Sequence, residues 1–137
     1  MSALEVLLVD DDRIITMLHH RFVIKSGLHP SPRLFYSGLD ALNHIRNNRT
    51  GHYLVLLDIN MPGVSGWDFL DRLYREDLTA RVRVAMVTSS VDAADMARAR
   101  TYDIVIDYID KPLTFQKLEQ LQQLPALKDF HHDKKTE

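Results

Sequence analysis

The sequence predicts an α/β domain: a parallel sheet doubly wound with helices on both faces. Five short apolar runs alternate with segments of helical period, which is the pattern of βα units. Four of these runs are continuous rather than alternating, as strands covered on both faces should be. Charged residues stand where three of the runs end, at Asp10 and Asp11, at Asp58 and at Lys111.

Taken in order, Val6 to Val9 form the first strand. A helix follows, with Asp12 as its N-cap, Ile14, Ile15, Leu18 and Phe22 on its apolar face and Gly27 as its stop. Arg33-Leu34-Phe35-Tyr36 reads as an edge strand, because Pro30 and Pro32 flank its start. Ser37 with Asp40 three residues on resembles a capping box before Ala41, Leu42 and Ile45. Leu54 to Leu57 form the third strand, and Ser65 with Asp68 repeats the cap before Phe69, Leu70 and Leu73. Trp67 falls off that face, so it is expected to be partly exposed. Val84 to Val87 form the fourth strand. Asp92 to Arg100 offers mostly alanine and charge, which predicts a loosely packed helix with Arg98 and Arg100 on a solvated face. Ile104 to Ile109 form the last strand, and a helix from Thr114 uses Phe115, Leu118 and Leu121 until Pro125 ends it.

Residues 1–124 therefore make one domain, followed by a polar tail at 125–137. The chain of 137 residues is long enough to bury a core without staples. A net charge of -2 argues against a global basic field, so neither nucleic acid nor an acidic membrane is an expected partner. With no cysteine, disulfide and thiolate chemistry are excluded. The first residues lack a charged region followed by a long apolar stretch, so a cytoplasmic location is expected. His19, His20, His29, His44 and His52 show no ligand spacing and read as surface residues, and His131-His132 as solvated.

In an open parallel sheet the carboxyl ends of the strands share one edge, where ligands bind. Asp10, Asp11 and Asp58 would meet there with Lys111 opposite. Two carboxylates about 4 Å apart repel by roughly 4 kcal/mol at an effective dielectric near 20, so a cation must join them. An all-oxygen site with few protein ligands suits magnesium, which keeps waters and favours phosphate chemistry.

The segments Leu8-Val9-Asp10-Asp11-Asp12, Leu57-Asp58-Ile59-Asn60-Met61-Pro62-Gly63, Val87-Thr88-Ser89-Ser90 and Asp110-Lys111-Pro112 together resemble the receiver domain of two-component response regulators. The likeness covers roughly Leu4 to Leu124 and points to the CheY-like, stand-alone type. It implies a flavodoxin-like fold with strand order 2-1-3-4-5. It also implies Asp58 as phosphoacceptor, with Lys111 and Thr88 contacting the phosphoryl group through their side chains and Ser89 through its backbone N–H. Magnesium, or manganese, would be held by Asp11 and Asp58, by Asp10 through water and by the Asn60 carbonyl. Thr88 and Tyr108 would form the switch, read out on the face of the fourth helix, fifth strand and fifth helix, where Arg98, Tyr102, Tyr108 and Lys117 would meet partners. The implied partners are a sensor histidine kinase or histidine phosphotransfer protein and a downstream protein target.

Ser89 stands where alanine or glycine is frequent in the family, and Asn60 lies where the residue tunes access of hydrolytic water. Both bear on phosphoryl lifetime. Two other readings stay open on the residues. A magnesium-dependent phosphatase wants an acid two residues after its aspartyl nucleophile, where this chain has Asn60. A phosphate-independent binding module would have no use for the full set of acids, threonine and lysine. The chain is thus expected to accept phosphate rather than act as an enzyme on other substrates.

Overall fold

The computed structural model describes residues 4–136, and side chains through residue 130. Five parallel strands, β1 (Leu4–Val9), β2 (Arg33–Phe35), β3 (His52–Leu57), β4 (Val82–Thr88) and β5 (Val105–Asp110), lie in the order β2-β1-β3-β4-β5. They alternate with helices α1 (Arg13–Ser26), α2 (Gly38–Asn47), α3 (Gly66–Arg75), α4 (Ala93–Ala99), α5 (Phe115–Gln123) and α6 (Pro125–Thr136). This is the flavodoxin-like topology, whose crevice lies where the strand order reverses beside β1 and β3.

Side-chain alternation divides the core in two. Leu7 and Val9 of β1, Val55 and Leu57 of β3, and Val84 and Met86 of β4 face Leu42 and Ile45 of α2 and Phe69, Leu70 and Leu73 of α3. Val6, Leu8, Leu54, Leu56, Ala85 and Val87 face the other way, toward Val23 of α1 and Leu118 and Leu121 of α5. Each fully buried leucine contributes about 1.5–3 kcal/mol relative to an exposed one. The odd positions of β1 and β3 thus serve α2 and α3, and the even positions serve α1 and α5.

Strand β5 breaks its own alternation. Val105 and Tyr108 pack on the α2–α3 side, while Ile106 and Ile109 pack on the α1–α5 side. The parity changes because the β4–β5 register shifts by one between Val84↔Val105 and Ala85↔Asp107. A one-residue slip reverses every later side chain. It also pairs Thr88 with Asp110, so that Lys111 emerges directly beside the end of β4.

The helix ends follow local chemistry. Asp12 accepts from the Ile14 and Ile15 N–H groups, and Gly27 closes α1 with φ 81°, a conformation natural to glycine. Ser65 and Asp68 make both bonds of a capping box on α3, and Ser37 accepts from the Asp40 N–H on α2. Thr114 accepts from Lys117 N–H at the start of α5.

Four expectations are corrected. The buried residues of α1 are Thr16, His19 and Val23, whereas Ile14 is 75% and Leu18 38% exposed. Thr16 and His19 are buried because both are satisfied: the Thr16 hydroxyl donates to the Asp12 carbonyl, and His19 accepts a backbone N–H. His19 and His52 are accordingly core residues, not surface ones. Trp67 is only 9% exposed, because it stacks on Tyr102 with the Arg98 guanidinium 4.6 Å from its ring. Arg98 lies on the exposed face, as expected, and covers the Trp67 ring from there.

The fourth correction concerns the tail, since residues 125–136 form α6 and Leu127 and Phe130 are buried. Phe130 lies against His52 at the start of β3 and under the guanidinium of Arg83 near the start of β4. The side chains of His131 and His132 lie outside the described residues.

Candidate functional site

The site forms where β1, β3, β4 and β5 end. Val9 pairs with Leu57, and the Asp58 N–H donates to the Val9 carbonyl at 3.0 Å, so Asp10 and Asp58 leave neighbouring strands side by side. Both occupy even positions and thus belong to the α1 side. With Thr16 and His19 they line a small cavity of about 10 Å³. Carboxylate oxygens of Asp10, Asp11 and Asp58 all fall within 4.8 Å of one another, with Asp10 and Asp58 buried and Asp11 exposed.

Across the pocket, the Lys111 N–H donates to the Thr88 carbonyl at 3.0 Å, which fixes the lysine beside the end of β4. Its Nζ lies 2.7 Å from Asp10 Oδ2 and 3.3 Å from Asp58 Oδ2. One ammonium therefore serves two buried carboxylates and leaves the third in solvent. Burial pushes the Asp58 carboxyl above its ordinary value; Lys111 opposes that shift and Asp10 reinforces it. Burial also disfavours the Lys111 ammonium, but its hydrogen bond to Asp10 and the charge of Asp58 more than offset this and hold it above its usual range. The pocket keeps its lysine charged and leaves its central carboxylate electrostatically uncomfortable.

Thr88 is fully buried, and its hydroxyl helps favour the charged form of Asp58. The same hydroxyl accepts the Ser90 N–H at 3.3 Å. Ser90 in turn donates from Oγ to Asp95 of α4 at 2.7 Å, and its carbonyl accepts the Tyr108 hydroxyl at 3.0 Å. Thr88, the loop after β4, α4 and Tyr108 are consequently linked by hydrogen bonds. Asn60 and Ser89 sit at the rim with exposed side chains. Asp12, the third acid of its run, is occupied as the cap of α1.

Backbone packing holds the Asp58 position from behind. Gly66 N–H donates to the Ile59 carbonyl at 2.8 Å, and a Cβ on Gly66 would stand 2.5 Å from the Asp58 carbonyl oxygen. Glycine is required there by close approach.

His19 and Thr16 take part in or around this site and lie in no motif segment; Ser90 lies in one with no role of its own assigned, and Lys117 is expected only as a partner contact. The signal available for His19 and Thr16 was their i, i+3 spacing with Val23 four residues further on.

The donor set fits a hard divalent cation: three carboxylates converge, no softer ligand stands among them, and their charge exceeds what Lys111 neutralises. Fold and pocket together define a doubly wound α/β domain with an acidic pocket at its switch point. The response regulator receiver domain matches residues 6–123, and the chain belongs to that family. It is similar to the probable methanogenesis regulatory protein FilR2 of Methanothrix harundinacea, with 29% identity over 119 residues, 84% of this chain and 76% of that protein. A protein-glutamate methylesterase/protein-glutamine glutaminase 2 of Shewanella oneidensis is 32% identical over 114 residues, 80% of this chain. The chain spans only 30% of that relative, and 3% of a hybrid signal transduction histidine kinase G of Dictyostelium discoideum.

Among solved structures, a two component response regulator from Cytophaga hutchinsonii superposes with a TM-score of 0.81 at 28% identity, covering 93% of this chain and 99% of that one. A response regulator receiver protein from Dyadobacter fermentans gives 0.77 at 30% identity, covering 88% and 96%. Receiver domains of two-component systems take phosphoryl groups from histidine kinases and bind Mg2+ at an acidic pocket. No helix among the described residues is long and apolar enough to cross a membrane.

Proposed function

We propose that this chain is a phosphorylation-driven switch in which Asp58 accepts a phosphoryl group from a phosphohistidine donor. The observation that carries the reading is charge imbalance: three convergent carboxylates face one ammonium. An Asp58 carboxylate oxygen attacks phosphorus, the phosphorus–nitrogen bond of the donor breaks, and the imidazole leaves with its electron pair and takes up a proton. Lys111 is close enough to move its charge onto a phosphoryl oxygen as that oxygen arrives beside Asp58, and the Thr88 hydroxyl supplies a hydrogen bond on the β4 side. Asp10, Asp11 and Asp58 would hold Mg2+ or Mn2+, with the Asn60 carbonyl completing the protein ligands. The bound ion would neutralise charge on the transferring group. Ser89 would donate its backbone N–H to the phosphoryl group.

Readout follows from the hydrogen-bond chain through Ser90. If Thr88 turns toward the phosphoryl group it releases the Ser90 N–H, and Ser90 is tied both to Tyr108 and to α4. The output face in this reading is α4, β5 and α5, with Arg98, Tyr102, Tyr108 and Lys117 available to a protein partner in the cytoplasm. The chain turns over no exogenous substrate and binds no nucleic acid in this reading. Incubation with Mg2+ and acetyl phosphate should add one phosphoryl mass to the wild type and none to Asp58→Asn. A wild type left unmodified by acetyl phosphate and by a cognate kinase overturns the reading.

A further inference from the structure

We propose that His19 and Lys117 are positioning residues that together clamp the turn carrying Lys111, and so aim its ammonium at the pocket. The inference rests on the phosphoacceptor reading for its consequence, but not for its geometry. Lysine has a flexible stem and a compact charge, so unlike arginine it brings no planar fork to orient itself. Where its ammonium stands depends on where its backbone is held.

The backbone from 110 to 113 is held at four points. The Lys111 N–H bonds to Thr88 O at 3.0 Å. Lys117 Nζ donates to the Asp110 carbonyl at 2.8 Å and to the Pro112 carbonyl at 3.1 Å. From beneath, His19 Nε2 accepts the Leu113 N–H at 3.0 Å. Leu113 is fully buried and His19 is 3% exposed, so no solvent replaces that bond. An acceptor role for Nε2 places the ring proton on Nδ1 and requires a neutral imidazole. Burial lowers the His19 pKa to about 4, which keeps the acceptor lone pair free at neutral pH. The ring also lines the cavity beneath Asp10 and Asp58. The support under the lysine turn and the floor of the acidic pocket are thus the same side chain.

The test uses the full chain with His19→Leu, which removes the acceptor, His19→Gln, whose Oε1 can restore it, and Lys117→Met. Four readouts are compared: Mg2+ affinity by calorimetry, the rate of Asp58 phosphorylation by acetyl phosphate, the Lys111 Nζ nitrogen resonance, and hydrogen exchange at the Leu113 amide. His19→Leu should slow phosphorylation about tenfold, the scale of one buried donor left unsatisfied, with Mg2+ affinity within about twofold of wild type. It should also shift the Lys111 resonance and speed Leu113 exchange. His19→Gln should recover to within about threefold, and Lys117→Met should slow the reaction about threefold, because its bonds are partly solvated.

Equal slowing by Leu and Gln overturns the proposal, as does a loss of Mg2+ affinity in step with rate, which would mark general slackening. If His19→Leu does not fold, wild-type rate and an unmoved Lys111 resonance in Lys117→Met overturn it. A wild type that takes no phosphoryl group overturns the proposed function alone, because the Lys111 resonance and Leu113 exchange still judge the clamp.

Discussion

Two charge clusters occupy opposite ends of the sheet. Beyond the N-terminal ends of the strands, Arg46 of α2 meets Glu76 after α3 through two bonds, Nε to Oε1 at 2.7 Å and Nη2 to Oε2 at 2.5 Å. One cation meets one anion in fork geometry, and each partner favours the charged form of the other. At the other end Asp10, Asp11 and Asp58 share Lys111. The first cluster is complete as it stands. The second holds more carboxylates than its one ammonium balances, so the acidic pocket is distinguished from a structural ion pair by its unbalanced count and its burial.

The largest test of that contrast is Asp58→Asn. Phosphoryl uptake should vanish in mass spectrometry, yet the metal-free protein should melt higher than wild type at neutral pH. Asp58 is raised in the folded state, so its stabilising contribution is present below 3.8 and is lost as pH rises through the raised value. Asparagine removes that penalty. A lower melting temperature for Asp58→Asn without metal would show that the pocket is not electrostatically strained.

Next in size is Lys111→Met, which should slow phosphorylation roughly a hundredfold, the scale of losing one preorganised donor to the transition state. Mg2+ affinity should rise at the same time, since the resident cation that competes for Asp10 and Asp58 is gone. A calorimetric titration in which affinity falls would contradict the account.

A third effect is read by pH. His19 falls from 6.5 to about 4 on folding, so the unfolded chain binds more protons between those values. Stability should therefore be lost as pH falls from 6.5 toward 4, by up to about 3 kcal/mol from this group, and His19→Gln should flatten that slope in denaturant titrations. The smallest effect belongs to the completed cluster: Arg46→Met should leave phosphorylation and Mg2+ affinity unchanged and lower the melting temperature only slightly, since exposed pairs are screened. A change in Mg2+ affinity there would blur the distinction between the two ends.

The sheet and its charged edge were legible because continuous apolar runs bounded by Asp10, Asp58 and Lys111 leave few alternatives. Caps at Asp12, Ser37 and Ser65 were equally local and equally readable. The inward face of α1 was not, because hydropathy picks Ile14 and Leu18 while Thr16 and His19 are buried through bonds made by partners that sequence does not display. Trp67 was misjudged for a related reason: it owes its burial to Tyr102 and Arg98, more than thirty residues away. In α6, Phe130 stands among polar neighbours, and only packing against His52 and Arg83 reveals it as core. The register shift at Asp107 was invisible in a run apolar on both faces, although it decides which way Tyr108 points.

The bare hydrogen of Gly66 carries one more implication. Because the first turn of α3 rests directly on the carbonyl of residue 58, even a methyl at position 66 must shove the Asp58 peptide. An alanine allele there would impair signalling while every ionisable group survived, and a genetic screen would score it as a defect in the aspartate it never replaces.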